Sequence, residues 1–130
     1  LERQAGGAAE FLGPVSDEAI RDEYRRALAV ILPGEEDFGI VPVEAQACGR
    51  AVVALGCGGA LDTVVDGQTG VLFPEPTPAA LAAALERVAA MRVDTERIRS
   101  HAERFSREQH IQQMRAVIAE TAAAPTGTRW

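Results

Sequence analysis

Leu28-Ala29-Val30-Ile31-Leu32-Pro33-Gly34 is followed, after a polar loop and a short helical stretch, by Ala51-Val52-Val53-Ala54-Leu55-Gly56-Cys57-Gly58-Gly59. Both segments are unbroken apolar runs that end in Pro or Gly. A strand with one wet face alternates apolar and polar side chains. A short run that is apolar at every position, stopped by turn residues, belongs to a strand buried on both faces, as in a parallel sheet covered by helices. The intervening segment predicts the helix. Pro42 is suited to open it, because its missing N–H would be unpaired there, and Gly49 is suited to end it. Strand, helix, strand within about thirty residues is the parallel crossover unit.

The pattern extends in both directions. Residues 9–12 read as a strand stopped by Gly13-Pro14. Ser16 stands where a cap belongs, with Asp17 and Glu18 in the first turn of a helix whose buried face carries Ile20, Tyr24 and Ala27. On the other side, residues 61–65 predict a short helix and Val71-Leu72-Phe73 a third strand. Thr77 then caps an alanine-rich helix to about residue 90, with Leu81, Leu85 and Val88 on one face. Helices over 94–105 and 107–122 complete the expectation. The fold class is therefore α/β, a Rossmann-like parallel sheet with flanking helices. Three or four strands are fewer than a complete doubly wound domain has, and residues 1–5 read as the end of a helix. The chain is thus expected to be the partial, C-terminal portion of a longer polypeptide. Residues 1–122 would form one incomplete domain and residues 123–130 a flexible tail.

Composition narrows the function. The chain has 130 residues, 47% hydrophobic and 25% charged, which suits one packed domain rather than a disordered segment. Its formal net charge is −6 and no basic stripe is present, which argues against a nucleic-acid partner. The 13 basic residues are all arginine, so neither a Schiff-base lysine nor a phosphate-loop lysine is available. Cys48 and Cys57 match neither a zinc cluster nor a redox pair, and Cys48 reads as a small core residue. Two thiols without a visible leader suggest a cytoplasmic setting. No apolar run approaches the ~20 residues of a membrane helix.

In open parallel sheets, ligands bind beyond the carboxyl ends of the strands. Two loops meet that description. One is Pro33-Gly34-Glu35-Glu36-Asp37-Phe38-Gly39-Ile40, leading into the helix that carries Glu44. The other is Gly56-Cys57-Gly58-Gly59. They follow consecutive strands and should lie side by side. A helix N-terminus offers free N–H groups to an anion, and Gly39, Gly58 and Gly59 remove side chains that would block close approach. Seven residues separate Glu36 from Glu44, so a loop carboxylate and a helix carboxylate can face one cleft. A carboxylate accepts two hydrogen bonds from a vicinal diol. The pair around an anion cradle suits a ligand with ribose, diphosphate and a hydroxylated ring. The plainer alternative is that Glu44 only complements the helix dipole and Glu36 is a solvated loop charge. His101 and His110, on late helices, are expected to be exposed and far from these loops.

The residues from Pro33 to Ala54, with Glu36, seven residues, then Glu44, and Phe38-Gly39 after the first acid, resemble the signature of family 4 (group 1) retaining glycosyltransferases of the GT-B fold. Gly58-Gly59-Ala60-Leu61-Asp62, Asp66-Gly67-Gln68-Thr69-Gly70 and Phe11-Leu12-Gly13-Pro14-Val15-Ser16 resemble neighbouring blocks of the same family. The likeness covers about residues 11–85. It departs at Asp62, more often Glu, and at Ala51, more often Pro.

The resemblance implies the donor-binding half of an enzyme that transfers a hexose from a nucleotide sugar to an acceptor hydroxyl with retention. It implies Glu36 as the catalytic residue, beside the reacting carbon. Donor contacts would come from Gly34, Glu36, Phe38, Gly39, Ile40, Glu44, Gly58 and Gly59, with Glu44 on the ribose. No metal or other cofactor is expected. The wording of the motif is most similar to mannosyltransferases using GDP-mannose. The family's acceptor-side histidine and basic diphosphate pair lie upstream of these blocks. The acceptor, a glycan or lipid, would then be bound by a missing N-terminal domain, which would also bring the enzyme to the inner face of a membrane. The chain alone is expected to be inactive. The rival readings are a flavodoxin-like interaction module, which would want a lysine this chain lacks, and a sugar-nucleotide epimerase of the same fold.

Overall fold

A computed structural model describes residues 2–124. Its centre is a parallel sheet of three strands in the order β1-β2-β3: β1 (Ala29–Leu32), β2 (Ala51–Leu55) and β3 (Gly70–Phe73). Val30 pairs with Val52 and Val53 with Val71, so all three strands end at the same edge. The helices are α1 (Glu2–Ala5), α2 (Asp17–Arg26), α3 (Ile40–Ala47), α4 (Ala60–Thr63), α5 (Pro78–Ala90), α6 (Thr95–Ala102) and α7 (Arg107–Ala123), with a 3-10 turn at Glu103–Phe105.

The two faces of β2 feed two cores. Ala51 and Val53 pack with Val71, Phe73, Ala84, Val88 and Ile98, beneath α5 and α6. Val52 and Ala54 pack with Ala45, Ala60 and Val64, beneath α3 and α4. Alternate side chains of a strand point to opposite faces, so a continuous apolar run is what a sheet covered on both sides requires. β2 meets that expectation completely. β1 meets it in part: Leu28 just before it and Ile31 within it are exposed. β1 is the outer strand, and no described element covers that side of it.

Helix ends follow local chemistry. Ser16, Thr77, Asp94 and Ser106 each accept from the backbone N–H three residues on, at 3.3, 3.2, 3.1 and 3.3 Å. Each such cap is worth about 0.5–2 kcal/mol. α3 ends on Gly49, left-handed at φ 75°. The Gly49 N–H bonds the Gln46 carbonyl at 2.8 Å and the Arg50 N–H bonds that of Ala45 at 3.0 Å. This is the Schellman pairing that only a residue free to adopt positive φ permits cheaply.

Several expectations are corrected. Residues 9–12 form no strand, and Phe11 and Leu12 stay about half exposed. A strand needs a ladder partner, and no described strand lies beside this segment. α3 starts at Ile40 rather than Pro42. Proline is tolerated there because every N–H of the first turn lacks an intrahelical acceptor. The short helix runs Ala60–Thr63 rather than 61–65. The helix expected over 94–105 tightens to 3-10 at Glu103. On α5 the buried residues are Ala84 and Val88, while Leu85 is only partly buried, at 37% exposure. Ile20, Tyr24 and Ala27 are only half-buried, because α2 packs beside α3 at the margin of the core. Cys48, also half-buried, closes α3 instead of filling the core. α7 continues to Ala123, and the expected tail otherwise lies outside the described residues.

Candidate donor site

The carboxyl ends of β1 and β2 carry the two loops singled out in the sequence, and the loops are in contact. The Gly59 N–H donates to the Glu36 carbonyl at 2.7 Å. A Cβ on Gly59 would overlap the Phe38 backbone, and one on Gly58 would overlap the Glu36 carbonyl. These two positions are glycine because another main chain occupies the space a side chain would need. Gly39 is buried at φ 83°, and a Cβ there would come 3.2 Å from Thr63 Oγ1. It precedes α3 with no side-chain cap, so the first amides of that helix are available to a ligand. Gly34 is exposed with open space around it.

Beneath the loops lies a buried polar strut. Gln46 is fully buried on α3, and its Nε2 donates to the carbonyls of Pro42 at 3.1 Å and Thr63 at 2.8 Å. The Thr63 hydroxyl donates to the Gly59 carbonyl at 2.8 Å. α3 and α4, each the start of one loop's helix, are therefore tied together through buried hydrogen bonds. Leaving any of these groups unpaired would cost about 1–3 kcal/mol.

The two acids differ in setting. The Glu36 carboxylate is exposed and makes no hydrogen bond or ion pair with any described residue. Glu44, one turn into α3, accepts from the Tyr24 hydroxyl on Oε2 at 3.3 Å. Burial and then the charge and hydrogen bond of Glu44 push the Tyr24 hydroxyl above its ordinary pKa, so it stays a donor at neutral pH. Glu44 and Tyr24 line a cleft of about 310 Å³ with Asp17, Ile20, Arg21 and Cys48. Glu36 is not among its lining residues. The carboxylates thus stand on neighbouring surfaces rather than in one enclosed pocket. Phe38, Ile40 and Leu61 form an exposed apolar rim around the loops.

His101 corrects an expectation. It is half-buried, not remote: its Nε2 lies 3.2 Å from the Thr63 carbonyl and its ring meets Phe105 edge-on at 5.7 Å. Phe105 in turn meets Phe38 of the first loop at 6.1 Å. Sequence reasoning missed Tyr24, Gln46, Thr63, His101 and Phe105 because none has a motif. Only the periodicity that places Tyr24 on the inner face of α2 pointed toward any of them.

Glycine loops and an uncapped helix start gathered at the strand ends are the features by which parallel α/β domains receive anionic ligands. Residues 1–107 match the sequence family described as glycosyl transferases group 1. The chain belongs to that family.

Among its relatives, the D-inositol 3-phosphate glycosyltransferase of Geodermatophilus obscurus is 41% identical over 95% of this chain and 29% of its own length. That of Saccharomonospora viridis is 37% identical over 91% of this chain and 28% of its own. The structure superimposes on sucrose-phosphate synthase from Thermosynechococcus elongatus with a TM-score of 0.81, at 32% identity over 95% of this chain and 33% of that one. It superimposes on Anabaena HepE in complex with UDP-glucose with a TM-score of 0.72, at 26% identity over 92% and 35%. The chain therefore spans about a third or less of the proteins it matches. Among the described residues, no helix is long and apolar enough to cross a membrane.

Proposed function

We propose that this chain is the nucleotide-sugar-binding half of a retaining glycosyltransferase, which moves a hexose from a nucleoside diphosphate to an acceptor hydroxyl. The observation that carries the reading is the locked pair of loops. The Gly59–Glu36 bond brings the Phe38-Gly39-Ile40 amides and the Glu36 carboxylate to one place at the strand ends. As the bond from sugar to diphosphate breaks, negative charge grows on the leaving oxygen. Fixed N–H groups at the start of α3 meet that charge without reorganising. Glu36, free of protein partners, is available to the sugar near the reacting carbon. Glu44, braced by Tyr24, is available to the ribose diol. Gly34, Gly58 and Gly59 let the main chain approach the ligand. No metal is required for these roles.

A uridine nucleotide suits the chain better than the GDP-mannose suggested by the motif wording. The support is that HepE, a neighbour in fold, is in complex with UDP-glucose. The relatives named for D-inositol 3-phosphate support a phosphorylated polyol as acceptor. Its site, and the cationic partner for the diphosphate, would lie in the remainder of a longer enzyme. This chain alone then binds donor weakly and transfers nothing. Membership of the family argues against the interaction-module reading.

Calorimetric titration of UDP, UDP-glucose and GDP-mannose tests the assignment. Glu44→Ala is expected to weaken UDP and UDP-glucose alike by about 10- to 150-fold, the worth of hydrogen bonds to a charged group. Glu36→Ala is expected to weaken UDP-glucose and spare UDP. Parent-like affinity of both variants for both ligands would remove the two acids from the site.

A further inference from the structure

The first loop is held from two sides, and only one of them is the second loop. Its backbone at Phe38 rests on Gly59. Its ring at Phe38 meets Phe105, with an interplanar angle of 78°. Phe105 sits in the 3-10 turn after α6, and His101 lies one turn earlier on that helix. The His101 ring packs on Phe105, and its Nε2 faces the carbonyl of Thr63. Thr63 closes the path, because its hydroxyl holds the Gly59 carbonyl and stands 3.2 Å from where a Gly39 side chain would begin. Phe38, Gly59, Thr63, His101 and Phe105 form one circuit of contacts around the 36–40 loop. Ile98 and Ala102 anchor α6 in the core, and His101 and Phe105 continue the same helical face at its margin, half-buried toward the loop, so stability has to be read beside binding.

We infer that His101 and Phe105 are positioning residues for donor binding: they fix the Phe38-Gly39-Ile40 amides in the direction of the diphosphate. A loop pinned only at Gly59 could pivot about that point. A second contact, the edge-to-face one made by the ring of the same residue, removes the pivot. The Thr63 carbonyl accepts from both Gln46 and a His101 protonated on Nε2, so the contact depends on that tautomer. The lowered basicity of His101, caused chiefly by burial, is consistent with a neutral ring. The inference rests on reading the 36–40 loop as the diphosphate and sugar loop. It makes a claim that the reading alone does not, since both residues lie outside the two loops and their helix starts.

The test compares ligands that differ in the part the loop contacts. Phe105→Leu and His101→Ala are expected to weaken UDP and UDP-glucose by about 2- to 10-fold, the range one aromatic contact spans. UMP affinity, set at the Glu44 end, is expected to stay within about twofold of the parent. Phe105→Tyr, which keeps the ring edge, is expected to restore parent affinities. Equal weakening of UMP and UDP-glucose, accompanied by a fall in Tm, would mean the two residues serve only folding and overturns the inference. So does unchanged binding of every ligand in Phe105→Leu and His101→Ala. If the parent chain binds UDP-glucose and Glu44→Ala abolishes that binding, such results overturn this inference alone. If the parent binds neither UDP nor UDP-glucose, the donor-site reading fails and this inference fails with it.

Discussion

Gly59→Ala isolates the loop–loop contact from every other property of the site. Gly59 has φ −62° and ψ −15°, ordinary right-handed helical values, so alanine meets no backbone strain there. In an open helix position the change would be slightly stabilising. Here the new Cβ would overlap the Cα, C and O atoms of Phe38, which are main chain and cannot rotate aside. The two loops must therefore separate, or the core beneath them must shift. Overpacking of this kind costs about 1–3 kcal/mol. Separation also stretches the 2.7 Å bond from the Gly59 N–H to the Glu36 carbonyl, a further ~0.5–1.5 kcal/mol. A total of about 1.5–4.5 kcal/mol should lower Tm by roughly 5–15 °C for a chain of this size. Thermal unfolding followed by circular dichroism measures this, and calorimetry with UDP-glucose measures the site. Binding should fall at least tenfold, because the amides of the first loop no longer lie over the second. Gly34→Ala, with open space around the position, is the stability control and should leave Tm unchanged. A Gly59→Ala protein with parent Tm and parent affinity would refute the packing of the two loops, and with it the geometry on which the donor site rests.

Two further outcomes are expected. Tyr24→Phe removes the 3.3 Å bond to Glu44 and leaves the ring in place. UDP affinity should fall by about 2- to 10-fold with Tm nearly unchanged. The fall should shrink with 2′-deoxy-UDP, and an equal fall for both nucleotides would count against the bracing role. Burial pushes His101 below the ordinary imidazole pKa; the Thr63 carbonyl pulls it back up, and Arg104 pushes it down again. The unfolded chain therefore takes up this proton at higher pH than the folded chain. The contribution of His101 to stability is full above about pH 6.5 and is lost as pH falls through the lower folded value. Tm measured from pH 7.5 down to 5 should drop more steeply in the parent than in His101→Gln, and parallel curves would show that the ring is not held neutral.

What the sequence determined was whatever local pattern can encode. The unbroken apolar run of Ala51-Val52-Val53-Ala54-Leu55 specified a strand buried on both faces, since no other setting hides every side chain. Pro33-Gly34 and the glycines of residues 56–59 marked the strand ends. Ser16, Thr77 and Gly49 marked helix ends through chemistry confined to a few neighbouring residues. The spacing of Glu36 and Glu44 around Phe38-Gly39 marked the candidate site, because a loop acid and a helix acid flanking a free helix start form a local motif. Pairing and packing across long separations were decided only in three dimensions. Phe11-Leu12 has the composition of a strand, yet it is not one, because a ladder needs a partner that local sequence cannot supply. Leu85 fits the apolar period of α5 but is only partly covered, while the smaller Ala84 is buried in the core. His101 lies 38 residues from Thr63 in the chain, and Tyr24 lies 20 from Glu44. Contacts of that span leave no periodic trace. They exist because parallel crossovers bring α2 beside α3, and α6 beneath both loops.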